Sequence, residues 1–301
     1  MPHSKVRDLV GYGKEPPNPA WPKGARLALQ FVINYEEGGE RTLANGDPES
    51  EGYLTELVGL QSVRGRRDHA SESLYEYGSR AGFWRLHRLF ASYDVPVTVY
   101  GVTTALEKNP EAVAAMLQSN WEVASHGLRW IDYGDMSPDV ERWHLQQAIS
   151  RHSDVVGSRP LGWYTGRISP NTRNLLIEEG GFLYDSDDYA DDLPYWTGTV
   201  ERPHLVIPYA LDSNDCRYAM PQGFNAGSQF LEYLTDSFTY LYEEGARSPK
   251  MLSVGLHCRI SGRPGRAAAL QRFLDLVCAK PDIWICRRVD IARHWWEHFR
   301  P

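Results

Sequence analysis

Titratable or polar residues close nearly every short apolar run in this chain. Asn34-Tyr35-Glu36-Glu37, Ser125-His126, Tyr164-Thr165-Gly166-Arg167, Asp185 with Asp187, and His257-Cys258-Arg259 each stand at the end of one. Carboxylates, histidines and arginines are the types used for proton transfer and for stabilising a developing oxyanion. Two adjacent carboxylates resist double ionisation, which raises one pKa and suits a base working near neutrality. His126 and His257 can donate, accept or shuttle protons. Side chains alternate across a strand, so Glu36 and Glu37 share a site only if the strand end turns, which Gly38-Gly39 permits. Any one polar strand end is explained by solvent. Five together point to convergence on one face.

The elements that must hold these groups follow from the apolar pattern. Arg26 to Asn34 is compact and rich in apolar residues, as in a strand buried on both faces. Strands are expected at 95–100, 121–126, 161–165, 182–184, 205–209, 250–257 and 283–286. Helices are expected at 82–93, 110–119, 137–156, 170–179, 228–244, 266–279 and 289–299. Strand–helix alternation on this scale means an α/β chain with a parallel sheet. No GxGxxG follows the first strand, which favours a barrel over an open nucleotide-binding sheet. Barrel active sites lie at the C-terminal strand ends, where the polar groups stand. No internal repeat or linker follows residue 80. The expectation is one domain, 1–301, with a Gly- and Pro-dense arm over 1–25 and a long charged insertion over 38–80, of a size that is usually functional.

Composition narrows the partners. The 301 residues carry a net charge of −7, with charged residues at 24%. Such a chain is a poor binder of nucleic acid, which needs clustered Lys and Arg. No apolar run approaches the roughly 18–20 residues of a membrane helix, so no membrane partner is expected. Met1 to Pro22 has no apolar signal core. Cys216, Cys258, Cys278 and Cys286 are scattered without CxxC spacing, which fits a reduced, cytoplasmic protein. The surplus is aromatic: 10 Trp and 17 Tyr, enough for a large core, a subunit interface or a ring-lined pocket.

The strand-end motifs resemble those of the polysaccharide deacetylase (NodB-homology) superfamily. Glu36-Glu37-Gly38 stands at its paired-acid motif and Ser125-His126-Gly127-Leu128-Arg129-Trp130 at its second motif. Gly162 to Arg167 matches the third, Tyr184-Asp185-Ser186-Asp187 the fourth and Leu256-His257 the last. The likeness runs from about residue 26 to 300. It implies an irregular (β/α) barrel, TIM-like and usually seven-stranded.

Departures from the pattern are informative. In metal-dependent members the second acid of the first motif and two histidines of the second bind a divalent cation. Here the second of those histidines is replaced by Trp130, whose indole offers one N–H and no lone pair for a metal. Glu37 and His126 remain, one ligand short of the usual three of a catalytic zinc. No metal and no cofactor are therefore expected. The third-motif arginine is displaced to Arg167, with Tyr164 in its place.

This combination is similar to the cofactor-independent allantoinases. The stretches Arg7 to Gly13, Trp21 to Arg26, Asn34 to Gly38, Glu76 to Gly82 and His257 to Arg266 carry that likeness. It implies an enzyme hydrolysing the hydantoin ring amide of a small-molecule substrate, allantoin, in purine catabolism, and a homotetramer. On this reading Glu36, His126 and His257 are catalytic, with Glu36 as base. Glu37, Trp130, Tyr164, Arg167 and Asp185 bind substrate. The rivals are a carbohydrate N-deacetylase of the same superfamily and a non-catalytic binding barrel.

Four local signals compete. His294-Trp295-Trp296-Glu297-His298 has HxxEH spacing but no third ligand downstream, so a packed terminal helix is expected. Gly262-Arg263-Pro264-Gly265-Arg266 is basic at a helix start and reads as an anion site or a plain turn. Asp185 to Asp192 is acidic without EF-hand spacing. Cys258, beside His257, reads as a buried thiol.

Overall fold

The computed structural model describes residues 7–57, 59 and 61–301; residues 1–6 of the expected arm and 58 and 60 of the expected insertion lie outside the described residues. The strands are β1 (Leu27–Tyr35), β2 (Val97–Gly101), β3 (Glu122–Ser125), β4 (Gly162–Trp163), β5 (Tyr184–Asp185), β6 (Tyr195–Gly198), β7 (Pro203–Val206), β8 (Lys250–His257) and β9 (Ile283–Ile285). The helices are α1 (His69–Tyr77), α2 (Phe83–Ser92), α3 (Thr103–Lys108), α4 (Pro110–Gln118), α5 (Pro138–Val156), α6 (Thr172–Glu179), α7 (Gly227–Glu244), α8 (Cys258–Ser261), α9 (Pro264–Cys278) and α10 (Arg288–His298).

The sheet order is β6-β7-β5-β4-β3-β2-β1-β8, with β9 beside the first half of β1. Neighbours from β7 through β5, β4, β3, β2 and β1 to β8 are parallel; β6 alone pairs antiparallel. These are the seven walls of a TIM-like (β/α) half-barrel, as the α/β pattern implies. After β7 the chain meets β8 through a parallel bridge between Asn214 and Gly255, which draws the far edge round.

β1 is buried along its whole length, which is why it lacks alternation. Its residues 30, 32, 34 and 36 fall on one face by strand periodicity. Gln30 meets Arg288, whose guanidinium also donates to Ser253, Ser186 and the carbonyls of Ile207 and Pro208. Val32 packs with Tyr100, Ala124, Tyr164 and Tyr209. Asn34 pairs in register with Tyr100 and His257. The barrel interior thus runs from a polar pin through a ring-filled layer to the mouth.

Three expectations change. The segment 38–80 is no plain loop: Asp68 caps α1 by accepting from Ala70 N and Ser71 N, and Gly78–Gly82 continue it as a π-helical turn into α2. Its charges mask a short amphipathic helix whose buried face is mainly Tyr75. Helix α3 and strands β6 and β9 are too short for periodicity to resolve, and of the three only β9 shows as an apolar run. The basic turn at 262–266 finds its anion inside the chain: Arg266 pairs with Glu56, and Arg263 stands 3.5 Å from that carboxylate and over the Tyr77 ring. On α10, His294 Nε2 donates to the Pro19 carbonyl at 2.7 Å and its ring packs on Trp21, so HxxEH is a packed helix. Among the described residues no helix is long and apolar enough to cross a membrane.

Candidate active site

The mouth of the barrel holds a small cavity of about 80 Å³. Asn34, Glu36, His126, Tyr164 and His257 arrive from strand ends. Trp130, Gly166 and Arg167 come from the loops after β3 and β4. Tyr53 and Leu54 come from the insertion, and Tyr189, Leu211, Asn214, Cys216 and Met220 from the segment around β7.

Glu36 is the centre of the cluster. Its Oε1 lies 3.3 Å from Nε2 of both His126 and His257. Its Oε2 accepts from Arg259 Nη1 at 2.6 Å. Burial pushes this carboxyl up, but Arg259, His257 and His126 outweigh it and hold it well below the usual carboxylate range. His126 Nδ1 faces the Tyr164 carbonyl at 2.8 Å. A carbonyl only accepts, so Nδ1 carries the hydrogen and Nε2 is turned to Glu36.

His257 is held by a residue that the sequence reading missed. Asp215 accepts from His257 Nδ1 at 2.6 Å and from His257 N at 2.8 Å, and takes Ser261 N at 3.1 Å. Burial works against charge on His257, but Glu36 and Asp215 outweigh it and push its pKa up to about 9. Asp215 reaches this place because the Asn214–Gly255 bridge sets it beside the end of β8. Its only local signal is a polar run, 212–215, in a loop; nothing in spacing links it to residue 257. Arg259 stood at a strand end without a role. Its guanidinium packs over Tyr75 at 4.4 Å and Trp130 at 5.3 Å.

Trp130, Tyr164 and Arg167 line the cavity. Arg167 stacks on Trp130 at 4.3 Å and on Tyr53 at 5.1 Å, and donates to the Trp130 carbonyl at 2.8 Å. The Tyr164 hydroxyl meets Tyr189 at 3.0 Å.

Two expected substrate contacts are corrected. Glu37 turns away from the cavity: the chain does turn, with Gly39 N donating to Glu36 O, but the two carboxylates part. Glu37 accepts from the Glu36 amide at 3.1 Å and the Arg259 amide at 3.2 Å. It is also this acid, by burial against the opposing pull of Arg259, that is raised to about 7. Asp185 is fully buried behind the wall, gripped by Arg173 at 2.9 and 3.0 Å and by His204 at 2.7 Å. Its neighbour Asp187 accepts from the amides of Thr165 and Gly166 and so shapes the Arg167 loop. Cys258 is buried.

The residues present do not fit a divalent cation. Glu36 and His126 sit at hydrogen-bond distance from each other, Arg259 occupies the other oxygen of Glu36, and the Trp130 indole beside them has no lone pair for a metal. Among the described residues no group of three or more His, Cys, Asp or Glu is arranged to hold a metal.

Comparison with known proteins agrees with the motif pattern. The family profile for polysaccharide deacetylase matches residues 67–179. A putative polysaccharide deacetylase of Schizosaccharomyces pombe is 41% identical, over 97% of either chain. The crystal structure of a probable polysaccharide deacetylase from Pseudomonas aeruginosa PAO1 superimposes with a TM-score of 0.97 at 56% identity, covering 98% of this chain and 99% of that one. That of Puue allantoinase gives 0.96 at 55% identity, covering 98% of both.

Proposed function

The chain belongs to the polysaccharide deacetylase family, and from that premise we propose that it hydrolyses the hydantoin ring amide of allantoin to allantoate without a metal. The observation that carries this reading is the cavity. At about 80 Å³, with Tyr53 and Leu54 of the insertion among its lining residues, it suits a small molecule. The likeness to Puue allantoinase supports it. The homotetramer is part of the same proposal.

Water attacks the ring carbonyl carbon, and its proton passes to Glu36, with His126 Nε2 close enough to share it. The carbonyl C–O π pair moves to oxygen. Arg167, backed by the rings of Trp130 and Tyr53, lines the cavity and can stabilise that oxyanion. The C–N bond then breaks and the nitrogen takes the proton of the His257 imidazolium. Glu36 is a weak base because Arg259 holds its charge, so proton delivery and oxyanion contacts must supply much of the rate. Arg259 puts a permanent positive charge beside the acid that starts the reaction.

The test is turnover of racemic allantoin by protein stripped with a strong chelator, followed as allantoate. Full activity is expected, and Glu36→Gln should lower kcat by about 10²–10⁴-fold. Activity returning only with added zinc would overturn the metal-free reading. The deacetylase names of two close relatives favour a second reading, which acetate release from an acetylated chitooligosaccharide, without allantoin turnover, would establish.

A further inference from the structure

We propose that Asn34 fixes which molecules the cavity accepts, by receiving a hydrogen bond from a substrate N–H group. The assignment rests on the amide-hydrolase reading above and names a contact within that site.

Asn34 is 2% exposed and lines the cavity. It shares the inward face of β1 with Glu36 and lies in register with His257. Its amide orientation is set by its neighbours. Nδ2 donates to the Leu256 carbonyl at 3.2 Å and to the Tyr209 hydroxyl at 3.1 Å. A backbone carbonyl cannot donate, so the nitrogen must face it and Oδ1 must take the other direction. That oxygen has no partner.

Several other side-chain acceptors among the lining residues already have partners. Glu36 already faces His257 through Oε1 and accepts from Arg259 through Oε2. Asn214 Oδ1 accepts from Cys216 N. The Tyr164 and Tyr189 hydroxyls pair with each other. Arg167 Nε, a donor, is also unpartnered. Two residues that line the cavity therefore each bring a buried, unpaired polar atom, an acceptor on Asn34 and a donor on Arg167, a pair that a ligand carrying both N–H and C=O would satisfy. A buried acceptor left unpaired is costly, so a ligand that supplies an N–H is favoured over one that cannot.

The test needs no mutation in its first arm. Wild-type protein is assayed with allantoin and with a panel of its mono-N-methyl derivatives. At least one derivative should show kcat/KM reduced about ten- to a hundredfold, mainly through KM. In the second arm Asn34→Leu should lose a similar factor on allantoin and lose little more on that same derivative. Equal turnover of every derivative by the wild type overturns the Asn34 assignment alone, as does a folded Asn34→Leu protein with unchanged kcat/KM. No turnover of allantoin by the wild type overturns the amide-hydrolase reading, and this assignment with it.

Discussion

Glu36 and Glu37 are neighbours in the chain and end in opposite electrostatic states. Glu36 faces Arg259 and two histidines and stays ionised. Glu37 faces two backbone amides in a buried pocket and is raised to about 7. That one pKa of the pair would rise was legible in the sequence. Which one rose was not, because the deciding charge, Arg259, is brought in from 223 positions away. His257 makes the sharpest residue-scale prediction. In the proposed mechanism it donates the proton and must be charged, so kcat should be level near neutrality and fall as pH rises through about 9. Asp215→Asn removes one of the two carboxylates that hold this charge and should move that limb to lower pH. A limb that stays in place would show that Asp215 does not tune His257.

At the scale of elements, the site depends on how α1 and its π-helical turn approach α8. A Cβ on Gly78 would lie 2.3 Å from Glu37 Oε1, and one on Gly82 would lie 2.0 Å from the Cys258 carbonyl. Backbone meets backbone at Gly82, so no side-chain rotation relieves the clash. Gly82→Ala should destabilise the fold by about 1–3 kcal/mol, seen as a lower thermal midpoint. It should also raise KM, since Tyr53, Leu54 and Tyr75 reach the site from this same segment. An unchanged midpoint would show that the two elements are not locked there. The strands and long helices were readable from period and run length. The role of 38–80 was not, because Glu56, Tyr75 and Tyr77 are recognised as contacts only when α8 and α9 lie against them.

For the whole molecule, burial of charge sets the pH response. The folded-state pKa of His257, about 9, stands above its ordinary 6.5. Its contribution to stability is full below about pH 6.5 and is lost as pH rises to about 9. Glu37 and Asp187, each raised to about 7, act in the same direction, favouring the fold while protonated. Glu36 and Asp185, which are lowered, have already given their full contribution at neutral pH. The thermal midpoint should therefore fall between pH 6.5 and 9, and a rising midpoint by calorimetry would contradict this account.

From residue order alone come the α/β barrel, the polar strand ends that meet at the cavity, the family likeness and the Trp130 that departs from its motif. Each is local: a period, a run length or a motif of a few residues. The tertiary structure decided the rest. It turned Glu37 and Asp185 out of the cavity, brought Asp215 to His257 and Arg259 to Glu36, and left Asn34 with a free acceptor. These are pairings between distant segments, and electrostatics at a few ångströms depends on the register and closure of the sheet, which local sequence does not encode.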